Sequence, residues 1–272
     1  MAGPVSDKDI RRALREARDM IEQLVGSDGN EAETRRRVER IFENVLGYDT
    51  LKHLTRERAV KGAGETEHVD FAIQLEEGPQ ARPVVMVELK RVNVDLGAKH
   101  LKQVASYAID AGCEWVVLTN SREWRVYHVQ FGQPPVTSLL EQWNLLTEDP
   151  ADLLPKLEIL SYRFVRRGGL ADLWRRTKVL EPKSLLAALL SEPSLRFLRR
   201  SLRGRTGVLI EFEEIVQGVR RLLNEAAATE MDGLRIRLPQ RKQPAKQEGT
   251  APEEPKPDSA PPGEVTGSGP AV

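Results

Sequence analysis

The sequence predicts an α/β fold: a mixed β-sheet core flanked by helices, followed by a small α-helical domain and a disordered C-terminal tail. Three observations predict it. Two apolar, β-branched runs of strand length, 68–73 and 84–90, are joined by the polar turn Glu76-Glu77-Gly78-Pro79, as in an antiparallel hairpin. A helical stretch at 96–111 then separates the second run from another apolar run, 115–120, and a strand-helix-strand crossover of this length makes those two strands parallel neighbours. Over residues 148–238, leucines recur at helical spacing between Gly and Pro breaks, and beyond Pro239 periodic apolar residues cease. The expected organisation is an N-terminal helix in 1–29, the sheet-bearing domain in 30–147, a helical accessory domain in 148–238 and the tail in 239–272.

Taken in order, Ile10, Leu14, Ile21 and Leu24 recur on one face of a helix over 7–25 that stops at Gly26-Ser27-Asp28-Gly29. A second helix opens at Asn30, a cap residue, and Glu33 three positions on completes a capping box. Its apolar face carries Val38, Ile41, Phe42, Val45 and Leu46, and it ends near Gly47-Tyr48. Residues 51–60 form a candidate strand ahead of the hairpin. Leu101, Val104, Ala105 and Ala108 line the inner face of the next helix, with Gln103 and Tyr107 four residues apart on an adjoining face. Residues 124–129 alternate as a half-exposed strand after the turn at Asn120-Ser121-Arg122-Glu123. Further helices are expected near 170–180, 184–190, 194–202 and 211–227, with Tyr162 and Trp174 as core anchors.

Charge inside the hairpin is the anomaly. Side chains alternate across a strand, so Glu88 and Lys90 leave one face while Leu89 points into apolar packing on the other. Asp70 reaches the first face from the neighbouring strand. Three charged groups in a buried sheet cost several kcal/mol unless they are paired, hydrated or bound to metal. As an exposed pair, Glu-x-Lys is ordinary; beside Asp70 it suits metal-assisted hydrolysis. Asp70 and Glu88 with the Leu89 carbonyl supply hard oxygen ligands for Mg²⁺, with Mn²⁺ as a substitute, and Lys90 orients or activates the attacking water.

Composition limits the alternatives. No stretch is apolar enough to span a membrane, no signal-peptide core follows Met1, and the lone Cys113 excludes an intramolecular disulfide framework, so a cytoplasmic setting is expected. The formal net charge of +0 means that any polyanion-binding surface must come from uneven charge distribution.

The run Glu31-Ala32-Glu33-Thr34-Arg35, then Leu46-Gly47-Tyr48-Asp49, Val69-Asp70, Val87-Glu88-Leu89-Lys90, Gln103-Val104-Ala105-Ser106-Tyr107 and Leu118-Thr119-Asn120-Ser121 resembles the N-terminal nuclease domain of type I restriction enzyme restriction subunits. That domain belongs to the PD-(D/E)XK nuclease superfamily, and the resemblance covers roughly 30–129. It implies a restriction-endonuclease-like sheet and a Mg²⁺-dependent DNA-cleaving centre in which Asp70 and Glu88 hold the metal and Lys90 orients the water. Gln103 and Tyr107 would steady the site or touch DNA, and Glu31, chosen over Glu33, would be the helix acid. Nothing matches the Gly-x-x-x-x-Gly-Lys-[Ser/Thr] pattern of an ATP-driven motor, so a stand-alone nuclease module is expected. One such site cuts one strand, which leaves room for a homodimer or a protein partner.

The helical half is rich in arginine, including Arg166, Arg167, Arg175, Arg176, Arg199 and Arg200. These residues either grip the phosphate backbone of DNA or solvate the outer faces of the helices. Two functions from different classes follow: a Mg²⁺-dependent DNA endonuclease of restriction, defence or repair, or a non-catalytic nucleic-acid-binding or assembly module on the same fold.

Overall fold

A computed structural model describes residues 7–61, 66–76 and 81–239. The expected tail beyond residue 239, and the Glu77-Gly78-Pro79 part of the expected turn, lie outside the described residues. The chain divides into two compact units, Met1–Leu185 and Leu186–Val272.

The first unit runs α1 (Asp7–Gly26), α2 (Glu31–Asn44), α3 (Thr50–His53), β1 (Leu54–Lys61), β2 (Thr66–Ile73), β3 (Val85–Leu89), α4 (Ala98–Asp110), β4 (Trp115–Thr119), β5 (Glu123–Gln130), β6 (Val136–Asn144), α5 (Pro150–Glu158), α6 (Tyr162–Arg166) and α7 (Gly169–Val179). The six strands form one sheet in the order β1-β2-β3-β4-β5-β6. β3 and β4 are parallel, as the crossover through α4 requires, and every other neighbouring pair is antiparallel. The fold is therefore α/β with a mixed sheet.

Alternation on β3 sorts the core into two layers. Val85, Val87 and Leu89 join Phe71, Ile73, Trp124, Trp143 and the apolar faces of α1 and α2. Met86 faces the opposite layer, with Ala72, Val116, Leu118 and the inner residues of α4. β3 is buried on both faces, which is why its run is nearly continuously apolar. Phe42 centres the first layer, edge-on to Tyr48, Phe71 and Trp124 at centroid distances of 5.5, 6.4 and 5.7 Å. α2 ends where Gly47 adopts φ 77°, a left-handed conformation that glycine reaches without Cβ strain.

Three expectations need revision. Leu153, Leu157, Leu160, Val165 and Leu170 belong to the same apolar layer as α1 and α2, so the segment after residue 147 packs as part of the sheet-bearing unit and the division falls after Leu185. β6 was not expected: it is an edge strand with exposed Val136 and Leu139 and polar residues between, which blurs the alternation of a half-buried strand. The last expected helix, 211–227, is two, α10 (Phe212–Leu222) and α11 (Glu225–Asp232), because Asn224 between them caps the second by accepting from the Ala227 N–H at 2.9 Å. α8 (Pro182–Leu189) spans the division, and with α9 (Glu192–Thr206) these helices build the second unit around Leu186, Leu190, Leu195, Phe212, Ile215 and Met231.

Replacing Phe42 by Ala removes the ring at the centre of the first layer, and about 3–5 kcal/mol of unfolding free energy should be lost. Urea denaturation of the two proteins side by side measures it; a difference below about 1 kcal/mol contradicts this packing.

Candidate active site

β2 and β3 pair through Phe71 with Val87, Ala72 with Met86 and Ile73 with Val85. One further step in this register would set Asp70 opposite Glu88, and there the ladder stops. Instead of a main-chain partner, the Leu89 N–H donates to Asp70 Oδ2 at 2.8 Å. The carboxylate thus substitutes for a strand at the point where β2 parts from β3, and both acids emerge in the gap. Asp70 is 8% exposed and Glu88 2%. Lys90 stays in line with β4 through its N–H, which donates to the Thr119 carbonyl at 2.9 Å, and its Nζ lies 2.5 Å from Glu88 Oε1. Glu88 and Lys90 share a face, as alternation predicts, while Leu89 is fully buried on the other.

Glu31, Arg35, Val69, Asp70, Glu88, Lys90 and Gln103 line one cavity of about 310 Å³. The two glutamates at the start of α2 have separate roles. Glu33 is committed to the capping box, accepting the Asn30 N–H at 2.9 Å while Asn30 Oδ1 accepts the Glu33 N–H at 2.9 Å. Glu31, two positions earlier, faces the cavity. α2 is held in this pose by the segment after β3. Buried Thr34 accepts the Val92 N–H at 3.1 Å, Arg91 donates to the Gly29 carbonyl at 3.2 Å and pairs with Asp28, and Asn93 donates to Asp28 Oδ1 at 2.9 Å. On α4, Gln103 Nε2 donates to Tyr107 Oη at 3.0 Å; Gln103 lines the cavity, and Tyr107 lies in the apolar layer behind it.

Burial dominates the electrostatics. It pushes the Glu88 carboxyl up to about 7; the Lys90 hydrogen bond and charge pull it down, and Asp70 and Glu31 push it further up. His100 on α4 is lowered by burial first and then by the Lys90 and Lys99 charges, and its Nδ1 accepts the Gly97 N–H at 3.2 Å.

Among the described residues, no three His, Cys, Asp or Glu side chains form a ready metal cage. The donor set nevertheless fits a hard divalent cation that keeps several of its own waters. Asp70 and Glu88 offer carboxylate oxygens across one gap, and Glu88 is a buried acid whose ionisation a cation would compensate.

Sequence reasoning overlooked Arg35 as a site residue. Its Nη2 lies 2.5 Å from Asp70 Oδ1. The signal was present, since Arg35 is one helical turn after Glu31 and so shares its face. The arginines of the helical half are placed elsewhere. Arg166 and Arg167 lie over the rings of Tyr162 and Phe164, Arg175 pairs with Asp172, and Arg176 is exposed; none of them lines the acidic cavity. In the second unit, Arg199 lies 4.6 Å from the Phe212 ring centroid and 4.0 Å from Glu211, while Arg200 is exposed.

The raised carboxyl makes a pH prediction. A folded-state value above the unfolded one means that the folded protein holds the Glu88 proton more tightly, so stability is greatest below about 4.5 and is lost as pH rises towards about 7. In the metal-free protein, Glu88→Gln should flatten that fall, so that melting temperatures of variant and wild type diverge in the variant's favour between those values. Parallel melting curves across the window rule out a buried, ionising Glu88.

With this geometry in view, one comparison with known proteins falls on the sheet-bearing unit. The family model described as the type I restriction enzyme R protein N terminus matches residues 30–140. No curated protein was found to match the chain. Among solved structures, a chain of the one titled "cryoEM structure DrdV-DNA complex" is similar at 15% identity and a TM-score of 0.39, over 55% of this chain and 95% of that chain. The matched family segment contains α2, β2, β3 and α4, and with them every residue lining the acidic cavity. Over residues 30–140, the chain is similar to the N terminus of the type I restriction enzyme R protein.

Proposed function

We propose that the protein is a Mg²⁺-dependent DNA endonuclease of the PD-(D/E)XK type, with Mn²⁺ as a substitute metal, serving prokaryotic restriction, defence or repair. One observation carries this reading. Asp70 and Glu88 meet where β2 parts from β3, with Lys90 on Glu88 and Glu31 across the cavity, inside the segment that matches a restriction-subunit family. Asp70, Glu88 and the Leu89 carbonyl would hold the ion, which when bound supplies Lewis-acid polarisation of a phosphodiester and an acidified water.

The remaining work falls to the chain itself. Lys90 Nζ, held beside Glu88, is placed to orient the attacking water and to stabilise the negative charge that builds on the phosphate. Glu31 supplies a further acceptor at the cavity wall, and Gln103, steadied by Tyr107, supplies an amide facing the substrate. The exposed Arg166, Arg167, Arg176 and Arg200 are the candidates for sequence-independent phosphate contact. Duplex cleavage needs a second site, from a homodimer, a protein partner or a repeated encounter.

The test is purified protein with supercoiled plasmid, linear duplex and single-stranded DNA in Mg²⁺, Mn²⁺ or EDTA. Cleavage should require metal and vanish in Asp70→Ala and Glu88→Ala, and Lys90→Met should slow it about 10²-fold or more. Cleavage undiminished in Glu88→Ala sinks the site assignment. DNA binding without cleavage under every condition instead favours the non-catalytic binding module.

A further inference from the structure

Both oxygens of Asp70 are engaged: Oδ2 accepts the Leu89 N–H at 2.8 Å, and Oδ1 accepts from Arg35 Nη2 at 2.5 Å. The first contact is main chain and fixes the carboxylate at the strand gap. The second is a side chain on a different element, 26% exposed against 10% for the Asp70 side chain, and it lines the cavity itself. Any other cation that takes Asp70 Oδ1 competes with Arg35 for it. A guanidinium is a permanent cation whose planar fork matches a phosphate as well as a carboxylate. Arg35 also leaves α2 on the same face as Glu31, and both line the cavity.

From this we infer that Arg35 is a place-holding cation: it neutralises Asp70 while the metal position is empty and passes to a phosphate oxygen of the incoming DNA when a divalent ion takes the carboxylate. The inference rests on the proposed nuclease reading and adds a positioning residue to it. No bond is made or broken; one ion pair is exchanged for two. Binding of metal and binding of DNA thereby favour each other, since the metal frees the arginine that the phosphate receives. The competing possibility is that Arg35 simply ties α2 to β2.

The two roles separate in equilibrium measurements on the full chain. The wild type, Arg35→Gln and Arg35→Lys would be titrated with Mn²⁺ alone, and then with a short fluorescent duplex in Ca²⁺, with thermal melting as a fold control. Removing the competing charge should tighten Mn²⁺ binding of Arg35→Gln by about fivefold, the scale of one partly exposed ion pair, and weaken the duplex by at least as much. Arg35→Lys keeps the charge but not the fork, so its Mn²⁺ affinity should stay near wild type while its duplex affinity stays reduced. Unchanged or weaker Mn²⁺ binding in Arg35→Gln, or unchanged duplex binding, overturns the inference and leaves a structural tie. Should Arg35→Gln melt below the assay temperature, Arg35→Lys decides, and wild-type duplex affinity there overturns it. The nuclease reading fails separately: in that case the wild type neither takes up Mn²⁺ nor cleaves DNA, whereas a wild type that does both beside an indistinguishable Arg35→Gln refutes only the role of Arg35.

Discussion

The hydrogen bond from the Leu89 N–H to Asp70 is the constraint on which the site depends. A main-chain donor that loses its strand partner inside a protein must find another acceptor or cost on the order of 1–3 kcal/mol. Asp70 meets that need at the step where the β2–β3 ladder ends. A side chain that ends a ladder and opens a cavity at the same place ties local geometry to chemistry. Glu88 is in the gap because β3 continues past it, and Lys90 is beside it because β4 holds the next residue in line.

The position of α2 depends on a second set of contacts, made by short polar side chains. Thr34, fully buried, accepts the Val92 N–H and donates to the Asn30 carbonyl at 2.9 Å, joining the cap of the helix to the chain leaving β3. Arg91 and Asn93 reach back to the turn between α1 and α2. The acid of α2 and the acids of the sheet thus come from distant parts of the sequence, yet they are spaced by only a few hydrogen bonds.

Much of this could be read from the sequence. The capping box at Asn30 and Glu33, the parallel pairing across α4 and the shared face of Glu88 and Lys90 all follow from rules that act over a few residues. What escaped depends on tertiary context. β6 is an edge strand whose exposed apolar residues hide its alternation, and α5 and α6 look like the start of a new domain until their leucines are seen in the core of the first unit. Arg35 escaped because an arginine on a helix has a solvent-facing explanation by default; only the fold brings it to Asp70.

Alternation on β3 also separates two kinds of failure. Val85, Val87 and Leu89 are bound into the apolar layer with Phe42 and Trp124, while Glu88 faces the cavity. A substitution in the first set unfolds the chain and exposes it to proteolytic quality control, which removes such products. A substitution in the second leaves a well-folded protein that escapes that surveillance. On the proposed nuclease reading, loss of chemistry would then be silent to the cell's clearance machinery, and an inert copy would persist beside a cutting one.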